Sequence, residues 1–463
     1  MTTVWSNWSG GQSCRPSATV RPLDEAGVAG VVRRAAERGQ TVRPVGAGHS
    51  FSPLAVTDDV HVDCSALSGI TGVHVVGGRT TVRVRAGTTL AELHAALAER
   101  DLALDVPLEI TSPTLGGAIA VGMHGSGAAL TSLSDHVVAV RLVDGTGRVR
   151  DVPPPELDAA RCALGALGVV LDVELRVVPA SPVRVTRAPR PVEEVLDPAF
   201  WSAHAVVEAA LFPSAPTALA RWADPVAVPV AAGAGTPVPL DPLAESAVAG
   251  RPDPSDEPGD EPGDESGGRE RSVGMTSSGA TGRTAFGGAM VVERALPRLV
   301  PRLNRVVSRL ARTVSATGAM HRVLSNPPAV RFEQTEWALP REALGDGVRE
   351  LLAALAGDLE VGLPVRMRLG APESAWLHPA HGRPTGWVSV RVPRGTDPAP
   401  VLSAASRVLA AHGGRPHWAS HHDLDAAAVA AAYPRFADFA RVRDAYDPER
   451  VFANASLSAL LGS

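Results

Sequence analysis

The heptad Val45-Gly46-Ala47-Gly48-His49-Ser50-Phe51 constrains this chain more than any other stretch, because it sets two glycines, a histidine and a hydroxyl directly after a β-branched run. Gly46 and Gly48 lack a Cβ, so the backbone there can take positive φ and carry its N–H groups close to a bulky anion such as a pyrophosphate. His49 then offers a nucleophilic ring nitrogen at the tip. Taken alone, a tight turn with a surface histidine explains the heptad equally well. A Rossmann fingerprint does not, since these glycines open no helix and Pro53 follows them.

A second stretch, Ser112 to Gly127, pairs a dense glycine series with small residues and carries almost no charge, so backbone rather than side chain must meet a ligand there. In this order and at this separation the two stretches resemble the FAD-binding domain of the vanillyl-alcohol-oxidase-type flavoproteins. More narrowly, they resemble the sugar-1,4-lactone oxidase and alditol oxidase branch. The resemblance implies a two-domain α+β flavoprotein with a substrate (cap) domain. It implies FAD, joined covalently through His49 to the flavin's 8α-methyl group. It assigns cofactor contacts to Gly46, Ala47, Gly48, His49, Ser50 and Phe51, to Thr114, Leu115, Gly116, Gly117, Gly122, His124, Gly125 and Gly127, and to Val170. Gly122-Met123-His124-Gly125 has no cysteine, so a second covalent link is not expected.

Length and charge fit that organisation. With 463 residues, 45% of them hydrophobic, the chain can build two cores. Met1 to Gly11 has neither a basic nor an apolar region of the export type, Arg33-Arg34 lies in an amphipathic pattern, and no apolar run is long enough to span a bilayer. A cytoplasmic protein with no integral membrane segment is expected. Cys14, Cys64 and Cys162 are odd in number and far apart, which suits reduced thiols and gives no metal-binding spacing, so no metal is expected. Every basic residue is arginine. The formal charge of −5 is misleading, because the seven acids from Asp253 to Glu265 exceed it and leave the remainder slightly positive. No nucleic-acid partner follows; a small hydroxyl compound is the expected ligand, and the oligomeric state is not legible.

Along the chain, Asp24 caps a helix to about Arg38 with Gly39 as its stop, and Thr41 to Val45 is a strand entering the histidine loop. A helix spans Thr88 to about Arg100, with Leu90, Leu93 and Leu97 as core. Val137 to Val143 and Val149 form a hairpin, and Leu171 to Val178 is a strand ended by Pro179. The FAD domain is expected over 12–180, the substrate domain over 181–440 and a tail returning to the first domain over 441–463. Residues 224–288, rich in Pro, Gly and acids with a tandem Asp-Glu-Pro-Gly repeat, read as a disordered insertion. A helix is expected from about Val291 to Val314.

Oxidising an alcohol with a flavin needs a group to take the hydroxyl proton and positive charge near the reduced ring. In the family a Glu-x-Arg pair on a substrate-domain strand, and a lysine two residues after a His-Trp, line that site. Here the pair is Arg366-Met367-Arg368, and the lysine position is Ser420 in His417-Trp418-Ala419-Ser420. The resemblance implies an alcohol or aldonolactone oxidase with oxygen as acceptor; the two replacements leave open a degenerate flavin-binding protein or an oxidase of a different alcohol. Arg366 or Arg415 is expected to stand in for the lysine. Catalytic candidates are Arg368, Arg366, His417, Ser420 and Glu333. Glu333 and Glu336 lie three apart on one strand, so at most one faces the substrate. The adjacent arginines need an anion between them, such as one of these carboxylates, the reduced flavin or an acidic substrate.

Overall fold

The computed structural model describes residues 4–226, 235–240, 305, 311–328, 330–356, 359 and 362–462. The first helix forms where the sequence places it: Asp24 caps Glu25–Glu37 by accepting from the Gly27 N–H, and Gly39 takes φ +62° to end the run. Its buried face, Val28, Val31, Val32 and Ala35, covers a three-stranded parallel sheet ordered Ala18–Val20, Val60–Asp63, Val42–Val45. The histidine loop leaves the end of Val42–Val45 and runs into a single 3₁₀ turn at Pro53–Ala55, so no dinucleotide-type helix follows.

A six-stranded antiparallel sheet completes the first domain, with Val137–Val143, Val169–Pro179 and Arg79–Arg85 at its centre. Against it packs the helix Leu90–Ala98, held by a reciprocal cap between Thr89 and Glu92, with Leu90, Leu93 and Leu97 wholly buried. The second glycine stretch folds as a short helix, Leu115–Ala120, rather than as an open loop throughout.

The second domain is an eight-stranded antiparallel sheet in the order 314–319, 182–191, 217–225, 206–211, 365–370, 385–393, 332–340, 415–416. Strand alternation gives it two different faces. Val365, Met367, Leu369, Val388, Val390, Val392, Trp337 and Leu339 point to one side, where the helices Leu344–Leu355 and Ala399–Ala411 cover them. Glu208, Arg221, Arg366, Arg368, Glu336 and Arg391 carry the other face. Buried charges need partners, and the ion pairs that most of these side chains form define the site described below.

Three expectations need correction. Residues 235–240 of the presumed insertion are docked: Val238 and Leu240 are buried, the Val238 N–H donates to the Val323 carbonyl at 2.9 Å, and Arg187 donates to the Pro239 carbonyl. Apolar side chains at 238 and 240 let this piece pack where composition suggested none could; the acidic repeat itself lies outside the described residues. The helix expected from Val291 also lies outside them except at Arg305, and Val314 begins a strand, Val314–Ala319. The return to the first core begins before 441, since Val429, Tyr433 and Phe439 already join the cluster that contains Leu90 and Leu93.

Candidate active site

One cavity of about 280 Å³ runs from the histidine loop to the polar face of the large sheet. Gly46, Ala47, Gly48, His49, Ser50 and Phe51 line it, as do Thr114, Gly116, Gly117, His124 and Val170. Leu115, Gly122, Gly125 and Gly127 stand behind that wall. Their roles are local: a Cβ on Gly125 would meet the Pro107 ring at 2.7 Å, one on Gly127 the Ala205 carbonyl at 2.8 Å, and Gly122, at φ +73°, lies against the His378 ring. Gly46 likewise admits the Thr114 hydroxyl, which locks the two glycine stretches together.

The residues fit an anionic cofactor. Among the described residues, no protein acceptor engages the backbone N–H groups of Ala47, Gly48, His49 or Ser50, and Gly48 has φ +66°. Consecutive unpaired amides facing a cavity form a cradle for a phosphate-type anion. Phe51 closes the loop instead, its N–H donating to the Ala419 carbonyl at 2.6 Å. His49 stacks on Trp8 with ring centroids 5.7 Å apart, and burial lowers its pKa, so the ring is neutral and nucleophilic at pH 7. The Arg43 guanidinium braces this floor by donating to the Leu54, Leu164, Gly165 and Phe452 carbonyls.

On the opposite wall, Arg366 and Arg368 project side by side, as their spacing on one strand requires, but each already has a carboxylate. Arg366 forks onto Glu109, a first-domain residue, with Nη1 to Oε2 at 2.6 Å and Nη2 to Oε1. Arg221 reaches the same Glu109 Oε1 at 2.7 Å and also binds Glu208. Arg368 binds Glu336. Burial would raise both carboxylates, but the arginines outweigh it: Glu109 is held below the ordinary range by Arg366 and Arg221, and Glu336 well below it by Arg368.

Of the two carboxylates on this strand, Glu336 and not Glu333 is therefore the one at the cavity. The strand Phe332–Pro340 sends Trp337 and Leu339 into the helix-covered core, so 332, 334 and 336 face the cavity and Glu333 faces away, where it accepts from His421 Nε2 at 2.6 Å. Ser420 is fully buried outside the lining, and its hydroxyl accepts from Gln334 Nε2 at 3.3 Å. Arg415 does not replace a lysine in the cavity; its Nη1 donates to the Pro379 and His381 carbonyls, and it covers the Tyr433 ring. Glu109 and Arg391 are lining residues that sequence reasoning missed. A carboxylate set among the apolar residues Val106, Leu108 and Ile110 was the available signal for Glu109.

Three imidazoles sit beneath these ion pairs. His417 Nε2 donates to the Gly122 carbonyl at 3.3 Å while its Nδ1 accepts from the Ala419 N–H at 3.2 Å. His378 repeats the pattern, with Nε2 on the same Gly122 carbonyl and Nδ1 on the Ala380 N–H. Both nitrogens of each ring are thus committed. His124 differs. Its Nδ1 donates to the Gly125 carbonyl at 2.9 Å and its Nε2 faces the carboxylate of Glu336, with Oε2 at 3.6 Å, while the ring stacks 3.6 Å from Trp387. Burial pushes His417 down to about 4, and burial and then Arg368 lower His124, so both are neutral at pH 7. His124, Glu336 and His417 lie close enough to suggest a metal triad, yet His417 has no lone pair to spare and Glu336 is bound to Arg368.

Residues 16–153 match the family model described as FAD binding domain, and residues 242–460 match the one described as D-arabinono-1,4-lactone oxidase. The chain is 31% identical over 469 residues to L-gulono-1,4-lactone dehydrogenase of Mycobacterium tuberculosis, covering 100% of both chains. It is 26% identical to the L-gulonolactone oxidase of Mus musculus, covering 98% of this chain and 97% of that one. Cholesterol oxidase of Brevibacterium sterolicum shares the fold, with a TM-score of 0.75 over 100% of this chain and 97% of that one, at 16% identity. No helix among the described residues is long and apolar enough to cross a membrane. The full-length likeness and the two matched models agree with the cradle and the buried polar face: the chain belongs to the vanillyl-alcohol-oxidase-type FAD flavoproteins, in their aldonolactone oxidase branch, and is an FAD-dependent oxidoreductase acting on CH–OH groups.

Proposed function

We propose that the protein oxidises a hydroxyl carbon of a sugar lactone, polyol or related alcohol inside this cavity, with FAD joined covalently through His49 and oxygen as the final acceptor. The observation that carries the reading is the continuity of one cavity from the amides of Ala47 to Ser50 to His124, whose Nε2 faces Glu336. Bound FAD supplies the two-electron acceptor. Residues 46–51, Thr114, Gly116, Gly117 and Val170 hold it, and Leu115, Gly122, Gly125 and Gly127 shape the wall behind.

The chain's own part is proton transfer and orientation. His124 Nε2 takes the hydroxyl proton, and Glu336, kept ionised by Arg368, stabilises the imidazolium that forms. Arg368 lines the pocket and can donate to the substrate oxygen; His417 fixes the loop at Gly122, and Ser420 acts through Gln334. The three buried free cysteines suit a reducing cytoplasm.

Anaerobic mixing of holoenzyme with L-gulono-1,4-lactone, D-arabinono-1,4-lactone and xylitol, following flavin bleaching, tests the reading. Bleaching by at least one, followed by re-oxidation in air at the turnover rate, is expected. Bleaching by none would favour a flavin-binding protein with degenerate chemistry, a reading motivated by Arg366 and Ser420 standing at the family's Glu and Lys positions. Re-oxidation far slower than turnover with a dye acceptor would make it a dehydrogenase.

A further inference from the structure

The cations around the cavity are not all alike. Arg366 is held by Glu109 and Arg368 by Glu336, while Arg43 spends its Nε and both terminal nitrogens on carbonyls. Arg391 has no such partner. It comes from the strand Thr385–Pro393, directly opposite Gln334 in the register, and it lines the cavity. Its Nε donates to Gln334 Oε1 at 2.9 Å, and its guanidinium carbon sits 4.7 Å over the Phe332 ring. Gln334 cannot turn away, because its Nε2 is tied to the Ser420 hydroxyl. Among the described residues, no carboxylate stands within 4.0 Å of Arg391, and neither terminal nitrogen has a hydrogen-bond partner.

The guanidinium is therefore fixed at one end and open at the other. Nε and the ring face are taken, which leaves the two terminal nitrogens as a planar fork with the spacing of a carboxylate. Burial and the neighbouring Arg366 pull its pKa down to about 9 against the opposing pull of Glu109 and Glu336, so it is still a cation at neutral pH, with no carboxylate in contact with it among the described residues. A cation in that condition gains most from an anion that reaches both nitrogens. The cofactor's phosphate cradle is on the first domain at Ala47 to Ser50, whereas Arg391 belongs to the sheet face that carries Arg368 and Glu336.

We infer that Arg391 is an anion-recognising residue of the substrate pocket, and that the substrate is a hydroxy compound bearing a carboxylate, such as an open-chain sugar acid. This rests on the reading of the cavity as the site of CH–OH oxidation. The reason for an acidic substrate is then Arg391, and not the Arg366–Arg368 pair, whose charge is already compensated within the protein.

The test compares L-gulonate with L-gulono-1,4-lactone, which share one carbon skeleton and differ in whether C1 is a free carboxylate or is closed as an ester onto the C4 hydroxyl. Binding to holoenzyme is measured by calorimetry under anaerobic conditions, in wild type, Arg391→Met and Arg391→Lys, with flavin content and midpoint potential recorded for each. Wild type should bind gulonate at least roughly tenfold tighter than lactone, Arg391→Met should lose that preference, and Arg391→Lys should keep part of it. Flavin content and potential should not move. Equal or tighter lactone binding by wild type overturns the inference, as does equal weakening of both ligands in Arg391→Met. A drop in potential with gulonate affinity unchanged would assign Arg391 to the flavin and overturn it too. Should lactone bleach the flavin while gulonate fails to bind, the inference falls and the proposed function stands; should neither the lactone and polyol panel nor gulonate bleach it, both fall.

Discussion

Arg366→Met, Glu109→Gln and their combination isolate the contact that crosses between the domains. Arg366→Met removes the fork from Glu109, whose Oε2 loses a 2.6 Å donor while Oε1 keeps Arg221 at 2.7 Å. Removing one member of a buried ion pair costs about 3–5 kcal/mol, and the surviving Arg221 contact sets the expected value at the lower end, about 3 kcal/mol. Glu109→Gln strands Arg366 instead and should cost a similar amount. In the double variant the remaining pairs, Arg221 with Glu208 and Arg368 with Glu336, are still matched. Its cost should therefore be only about 3–4 kcal/mol, a coupling of about 2–3 kcal/mol between the two sites. Urea unfolding of the holoenzyme at pH 7, followed by circular dichroism and flavin release, measures all three. Single costs that add to within about 0.5 kcal/mol would refute the assignment of Glu109 as the counterion. Arg366→Glu, which restores the family residue, should be worse than Arg366→Met, because it sets a second carboxylate against Glu109.

His49→Ala should leave flavin that acid precipitation releases from the chain, whereas wild type should keep its colour in the pellet; release from wild type would end the covalent assignment. His124→Asn should slow flavin reduction about 100-fold with little change in substrate affinity, as loss of a proton acceptor does. Because the His124 pKa is lowered from 6.5, the wild-type reduction rate should be flat through neutral pH and fall only on the acid side. Glu373 is raised to about 8 by burial, despite accepting from the Ser132 N–H. Its folded state holds a proton that the unfolded chain releases near 4.5, so its contribution is full below that value and is lost as pH rises through 8. Glu373→Gln should abolish that decline in urea titrations between pH 5 and 9.

Local signals were legible because the forces behind them are local. Asp24 and Gly39 fixed the ends of the first helix, and alternation placed Arg366 and Arg368 on one face. Alternation also showed that Glu333 and Glu336 could not both reach the ligand. Choosing between them required knowing which face the helices cover, and that depends on Leu344–Leu355 and Ala399–Ala411 docking from elsewhere in the chain. Glu109 was harder still, lying 257 positions from Arg366. Ser420 was read as a replacement for a lysine within the site; it lies outside the cavity lining, where its hydroxyl steadies Gln334 and, through it, Arg391.

The carbonyl of Phe452 reaches the Arg43 guanidinium across 409 positions, and Leu457, Leu460 and Leu461 fill the core around the helix Leu90–Ala98. During synthesis the floor of the cofactor cradle therefore waits for a piece of chain made long after it, with the whole second sheet emerging in between. The nascent first domain holds a buried arginine and an unfilled core until then. Flavin loading is therefore expected only once this last piece of chain has docked, and a protein truncated before Phe452 should emerge colourless even with every cradle residue in place.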